Sequence, residues 1–222
     1  MATYVIVHGA WHGGWCWRDV AATLRADGHE VLAPTLSGVA ERAHLAPHVD
    51  LSTHVAELAA LLSFQDVHDA VLVGHSYAGL VIAGAAARAQ ARVSRLVYMD
   101  AFVAHPGQSL FDLLRPERRA LYESTTRDGL IPSPAPDVFG VNEPTLAAWT
   151  GERLTGQPVR TWSQPLDATP SLPGTYIRCT EGPLVPSFEA FAAGFDGEVV
   201  EIATGHDAMI TRPAELAARV AS

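Results

Sequence analysis

Val71-Leu72-Val73-Gly74-His75-Ser76-Tyr77-Ala78-Gly79-Leu80 passes from a β-branched apolar run, through a turn of small residues, into an Ala- and Gly-rich segment. A strand feeding a tight turn and then a helix is the signature of a nucleophile elbow, with Ser76 at its apex. A serine there sits on a strained turn that projects its hydroxyl. The residues two positions to either side must be small, so that strand and helix can approach, and Gly74 and Ala78 meet that need. Ala78 replaces the more usual glycine, a mild steric departure followed at once by Gly79. The competing reading of Ser76 is a helix N-cap accepting a backbone N–H.

Outward from this stretch, short β-branched runs alternate with segments of helical length, as in a parallel sheet covered by helices on both faces. Six runs predict strands at Thr3–Val7, His29–Ala33, Ala70–Gly74, Arg95–Met99, Thr175–Cys179 and Glu198–Ile202. Helices are predicted at about Trp17–Asp27, Leu51–Ser63, Tyr77–Gln90, Phe188–Gly194 and Pro213–Val220. The alternation fails over about 104–172, where Pro, Trp and charged residues take over. That segment reads as a cap inserted after the fourth strand. The carboxyl ends of parallel strands are where ligands bind, so the insertion is placed to roof a site. One α/β domain over 1–222 results, its core formed by about 1–103 and 173–222.

Bulk properties narrow the function. The net charge of -9 is spread out and no basic patch matches a phosphate backbone, so nucleic acid is not an expected partner. No apolar stretch has membrane-spanning length and no leader pattern opens the sequence, which predicts a cytoplasmic protein with no membrane partner. Cys16 and Cys179 are expected to be free thiols. The partner is expected to be a small-molecule substrate. Oligomeric state stays open, a homodimer being one alternative.

Two further segments complete a site. His8-Gly9-Ala10-Trp11-His12-Gly13-Gly14 follows the first predicted strand, and its glycines allow a backbone N–H to turn toward the nucleophile. The Ala10 and Tyr77 amides are the candidate oxyanion-hole donors, the second aided by the positive end of its helix. The simpler reading of these glycines is a tight strand-to-helix connection. Thr204-Gly205-His206-Asp207 follows the last predicted strand, and His206 is the only histidine after His105. It is the candidate general base. The remaining histidines lack metal-ligand spacing, so no metal is implied.

The chain resembles the α/β-hydrolase branch that holds plant methyl-ester esterases, hydroxynitrile lyases and bacterial esterase relatives. The likeness runs through His8 to Trp15, Gly38 to His44, the elbow, Leu96 to Phe102, Tyr176 to Thr180 and Gly205-His206, and is poor only in the cap. It implies an α/β-hydrolase fold of about six parallel strands and a cofactor-free Ser-His-acid mechanism. The family places its acid two residues beyond Cys179-Thr180, where this chain has Gly182. Asp100, on a strand end, is the preferred substitute. Glu181 is the alternative, and a chain with no functional acid is the third case.

Trp11, Phe111, Trp149 and Trp162 are the candidate substrate-binding residues; with Leu114, Leu130 and Phe139, the cap aromatics suggest an apolar pocket for a small ester, lactone or thioester, and the other reading of each is packing. A hydroxynitrile lyase is disfavoured because Asp207 stands where the family's lyases carry lysine. A specialised-metabolism cyclase on the same scaffold and a ligand-binding pseudoenzyme complete the alternatives.

Overall fold

A computed structural model describes residues 1–222, residue 47 by its backbone alone. Six strands form one parallel sheet: β1 (Thr3–Val7), β2 (Glu30–Leu32), β3 (Ala70–His75), β4 (Val93–Met99), β7 (Gly174–Cys179) and β8 (Glu198–Ile202), in the order β2-β1-β3-β4-β7-β8. The cap contributes an antiparallel pair, β5 (Leu130–Ile131) with β6 (Gln157–Pro158).

Alternation of side chains along the strands divides the core in two. Val5, Val7, Leu72, Leu96 and Tyr176 pack on one face against α2 (Leu51–Phe64), α3 (Ala78–Arg88) and α8 (Val185–Ala193). Tyr4, Ile6, Val73, Val97 and Ile177 pack on the other against α1 (Arg18–Ala26), α9 (Ala208–Thr211) and α10 (Pro213–Ala221). Burial on both faces is why the central strands read as continuous apolar runs.

The cap, between β4 and β7, is more helical than its composition suggests: α4 (Leu110–Leu113), α5 (Pro116–Thr125), α6 (Pro144–Gly151) and α7 (Arg160–Ser163) lie in it. Pro116 and Pro144 open helices at their first position, where a missing N–H costs nothing. The Glu143 carboxylate caps the second of these helices by accepting from the Thr145 and Leu146 amides. Among the described residues no helix is long and apolar enough to cross a membrane.

Candidate active site

Ser76 stands between β3 and α3 at φ +55°, a left-handed backbone that serine adopts only when its surroundings hold it. Those surroundings are explicit. The Ser76 amide donates to the Met99 carbonyl at 3.2 Å, and its own carbonyl accepts from Gly79 and Phe102, each at 3.1 Å. A Cβ on Gly74 would lie 2.7 Å from the Ala78 carbonyl oxygen, so the turn requires glycine there. Gly79 packs directly on the Phe102 carbonyl, which leaves no room for a side chain.

His206 follows β8 in a loop that brings its imidazole to the same wall. Its Nδ1 lies 2.6 Å from Asp100 Oδ2, both side chains being buried. A carboxylate accepts, so the proton is on Nδ1 and Nε2 is left as a lone-pair acceptor. Asp100, just beyond β4, has φ +42° and is held through Oδ1 by the Cys179 amide at 3.2 Å. Glu181 is exposed and lines a different surface cleft, one that reaches Gly205 but does not include His206. Gly182 has φ +89°, a backbone that an aspartate would adopt only with strain. Among the described residues Ser76 Oγ and His206 make no hydrogen bond to each other, a separation common before substrate tightens such sites.

The Ala10 and Tyr77 amides donate to no protein group among the described residues. The Tyr77 amide is one of the unpaired N–H groups that open the 11-residue helix α3, and the Tyr77 hydroxyl is tied to His54 Nδ1 at 2.9 Å. Three buried histidines frame this region in neutral form. Burial pushes His8 down to about 3, against the pull of the Gly9 carbonyl, and also lowers His54 and, further, His75. The His75 ring lies 4.3 Å from the His206 ring, tilted by 44°, and donates from Nε2 to the His206 carbonyl at 3.1 Å. A Cβ on Gly9 would meet His75 Nδ1 at 2.8 Å and Ser76 Cβ at 3.0 Å, so this loop closes on the elbow only because position 9 is glycine.

Ser76 and His206 open into a shared pocket of about 490 Å³ that is continuous with solvent. Of the four aromatic candidates Trp11 and Trp162 line it, and Phe111 and Trp149 do not. Phe111 is buried behind Trp162, with ring centroids 5.8 Å apart, and serves as its backing. Trp149 lies on another face, against Trp15, between the guanidinium groups of Arg18 and Arg153. There it clips the cap to the core.

Leu114 and Phe139 of the cap line it too, Leu130 does not, and the sequence reading does not reach the rest of the lining: Phe102, Arg118, Tyr122, Pro134, Val138, Leu184, Ser187 and Phe188. Only Phe188 carried a signal, as the first residue of a predicted helix. Its ring stacks on His206 at 4.7 Å and 14°. Asp207 also departs from expectation. Its carboxylate points behind the pocket to His12 and lines no part of it. Among the described residues no three His, Cys, Asp or Glu side chains converge to hold a metal ion.

The comparisons agree with this architecture. A carbendazim-hydrolysing esterase of a Nocardioides species (strain SG-4G) is 40% identical over 243 positions, covering 100% of this chain and 99% of the relative. Methylesterase 10 of Arabidopsis thaliana is 35% identical over 151 positions, 63% of this chain and 54% of that protein. An extracellular α/β-hydrolase from a Paenibacillus species superposes with a TM-score of 0.86 over 98% of this chain and 97% of its own, at 24% identity, a likeness of fold. The family model described as the alpha/beta hydrolase family matches residues 4–219, and the chain, an enzyme built for hydrolysis, belongs to that family.

Proposed function

We propose that this hydrolase cleaves small, apolar carboxylic esters, with Ser76 as nucleophile, His206 as general base, Asp100 as the acid that orients it, and the Ala10 and Tyr77 amides as the oxyanion hole. The observation that carries this reading is the 2.6 Å contact between His206 Nδ1 and Asp100 Oδ2 at the wall of the pocket into which Ser76 opens. A base fixed in this tautomer presents Nε2 to the nucleophile's side.

Ser76 Oγ attacks the ester carbonyl while His206 Nε2 takes its proton. The carbonyl oxygen gains negative charge and moves toward two amides that have no other acceptor among the described residues. Removing one such donor typically costs about 100- to 1000-fold in rate. His206 then protonates the departing alcohol, and water activated by the same imidazole releases the acid from Ser76. The walls formed by Trp11, Trp162, Tyr122 and Phe139 favour a flat, apolar group on the ester. The name of the Arabidopsis methylesterase relative supports a small alcohol portion, such as methyl.

The test is labelling by a serine-directed fluorophosphonate, with turnover of p-nitrophenyl and aryl methyl esters, in the wild type and Ser76→Ala. Labelling and turnover that both vanish in Ser76→Ala are expected. A wild type that neither labels nor hydrolyses any ester would sink the reading.

A further inference from the structure

Behind the pocket, the loop that bears Ala10 and the loop that bears His206 meet through a second imidazole and a second carboxylate. His12 Nδ1 lies 2.8 Å from the Ala10 carbonyl, and His12 Nε2 lies 3.0 Å from Asp207 Oδ2. A carbonyl and a carboxylate both accept, so both ring nitrogens carry protons and His12 is an imidazolium. The two side chains are buried at 1% and 0% exposure. Burial opposes a charge on His12, but the Asp207 carboxylate and the Ala10 carbonyl outweigh it and keep its pKa above the ordinary histidine value.

A buried ion pair is poor evidence of stabilisation, because desolvation offsets its attraction. What the pair grips is more telling. The Ala10–Trp11 peptide is held at its carbonyl by His12 and at its N–H by Gln157 Oε1, 3.0 Å away. Trp11 has φ +67°, a left-handed backbone that a bulky residue keeps only under such restraint. Fixing this peptide at both ends fixes the chain at Ala10, and with it the direction of the Ala10 amide. Asp207 directly follows His206, and His75, the residue before Ser76, comes within 3.9 Å of Asp207 Oδ1.

We propose that His12 and Asp207 form a positioning couple, in which the Asp207-bound imidazolium of His12 holds the Ala10–Trp11 peptide so that the Ala10 amide faces the oxyanion while His206 faces the nucleophile. This rests on the assignment of Ser76 as nucleophile and Ala10 as oxyanion donor. The couple touches no substrate. It acts on the transition state through Ala10, so its loss lowers kcat and leaves KM nearly unchanged.

Two isosteric variants separate the bonds. Asparagine places its amide nitrogen near His12 Nδ1 and keeps a donor for the Ala10 carbonyl, whereas glutamine places its own near Nε2 and keeps only the link to Asp207. With an aryl methyl ester, kcat is expected to fall about 10- to 100-fold in His12→Gln but about threefold in His12→Asn, with KM within about twofold in both. Affinity for an aryl trifluoromethyl ketone, which forms the oxyanion adduct, falls in step with kcat. Asp207→Asn, which keeps an acceptor but removes the charge, gives about a tenfold kcat loss and reads the same couple if His12→Gln does not fold. Equal kcat losses in His12→Gln and His12→Asn, or losses shared by KM, overturn the proposal and leave a packing role. Turnover that survives in Ser76→Ala would instead remove the assignment beneath it, whatever the His12 variants do.

Discussion

Asp100 reaches His206 across 106 residues of sequence, from the end of β4 to the loop after β8, with Oδ2 2.6 Å from Nδ1. The two strands are not neighbours, since β7 lies between them. Asp100 spans this gap because its own left-handed turn lifts the carboxylate over the end of β7, where the Cys179 amide holds its second oxygen. Asp100→Asn is therefore expected to lower kcat by about 1000- to 10,000-fold, because an amide no longer holds the imidazole in the required tautomer. Glu181→Gln, on an exposed side chain, is expected to stay within about twofold. Steady-state turnover of p-nitrophenyl acetate checks both, and the reverse ranking would assign the acid to Glu181.

Ser76 and His206 were legible because local patterns announce them: a strand, small residues and a helix around one, a last strand before the other. Asp100 was legible only as one of two carboxylates, since its suitability depends on a turn angle and on a strand pairing that no local pattern specifies. Trp149 and Phe111 misled because an aromatic residue in a cap announces burial but not direction. The direction depends on how α4 to α7 dock. The His12–Asp207 contact left no trace in the spacing, for it joins residues 195 apart through side chains alone.

Gly140 of the cap and Gly205 of the histidine loop pack so closely that a Cβ on either would come 2.6 Å from the other's Cα. Gly140 also has φ +85°, which adds backbone strain for any other residue. Gly205→Ala pushes the cap away from the loop that positions His206. A stability loss of about 1–3 kcal/mol is expected, with kcat falling by about tenfold or more. Urea unfolding and ester turnover on the same preparation test it; an unchanged urea midpoint would contradict the packing account.

The two tryptophans of the cap should separate cleanly. Trp162 is buried at the pocket wall against Trp11 and Tyr122, so Trp162→Ala is expected to cost about 3–5 kcal/mol of stability and to shift preference toward bulkier esters. Trp149 lies outside the pocket between two guanidinium groups. Trp149→Ala is expected to lose about 1–2 kcal/mol, from two cation–π contacts, and to leave KM unchanged. Comparing kcat/KM for acetate and hexanoate esters across both variants decides it, and a Trp149→Ala variant with altered chain-length preference would refute this division.

Acid should unfold the protein through its buried neutral histidines. An unfolded histidine takes up a proton near pH 6.5, whereas folded His8 does so only at about 3, because burial disfavours its charged form. A depressed folded value means that the stability is complete above pH 6.5 and is lost as the pH falls toward 3. His54 and His75 shift in the same direction, and for the same cause. His12 has a raised value, so its contribution is complete below pH 6.5 and does not counter the trend there. Between pH 6 and pH 5, unfolding free energy is expected to fall by at least about 1 kcal/mol, approaching 1.4 kcal/mol for each histidine kept neutral. Urea titrations at the two pH values measure the difference directly. If the midpoint did not move, His8, His54 and His75 would have to accept protons in the folded state as readily as when unfolded, against the Leu36 amide that occupies His8 Nε2 and the burial of His75 Nδ1 without a partner among the described residues.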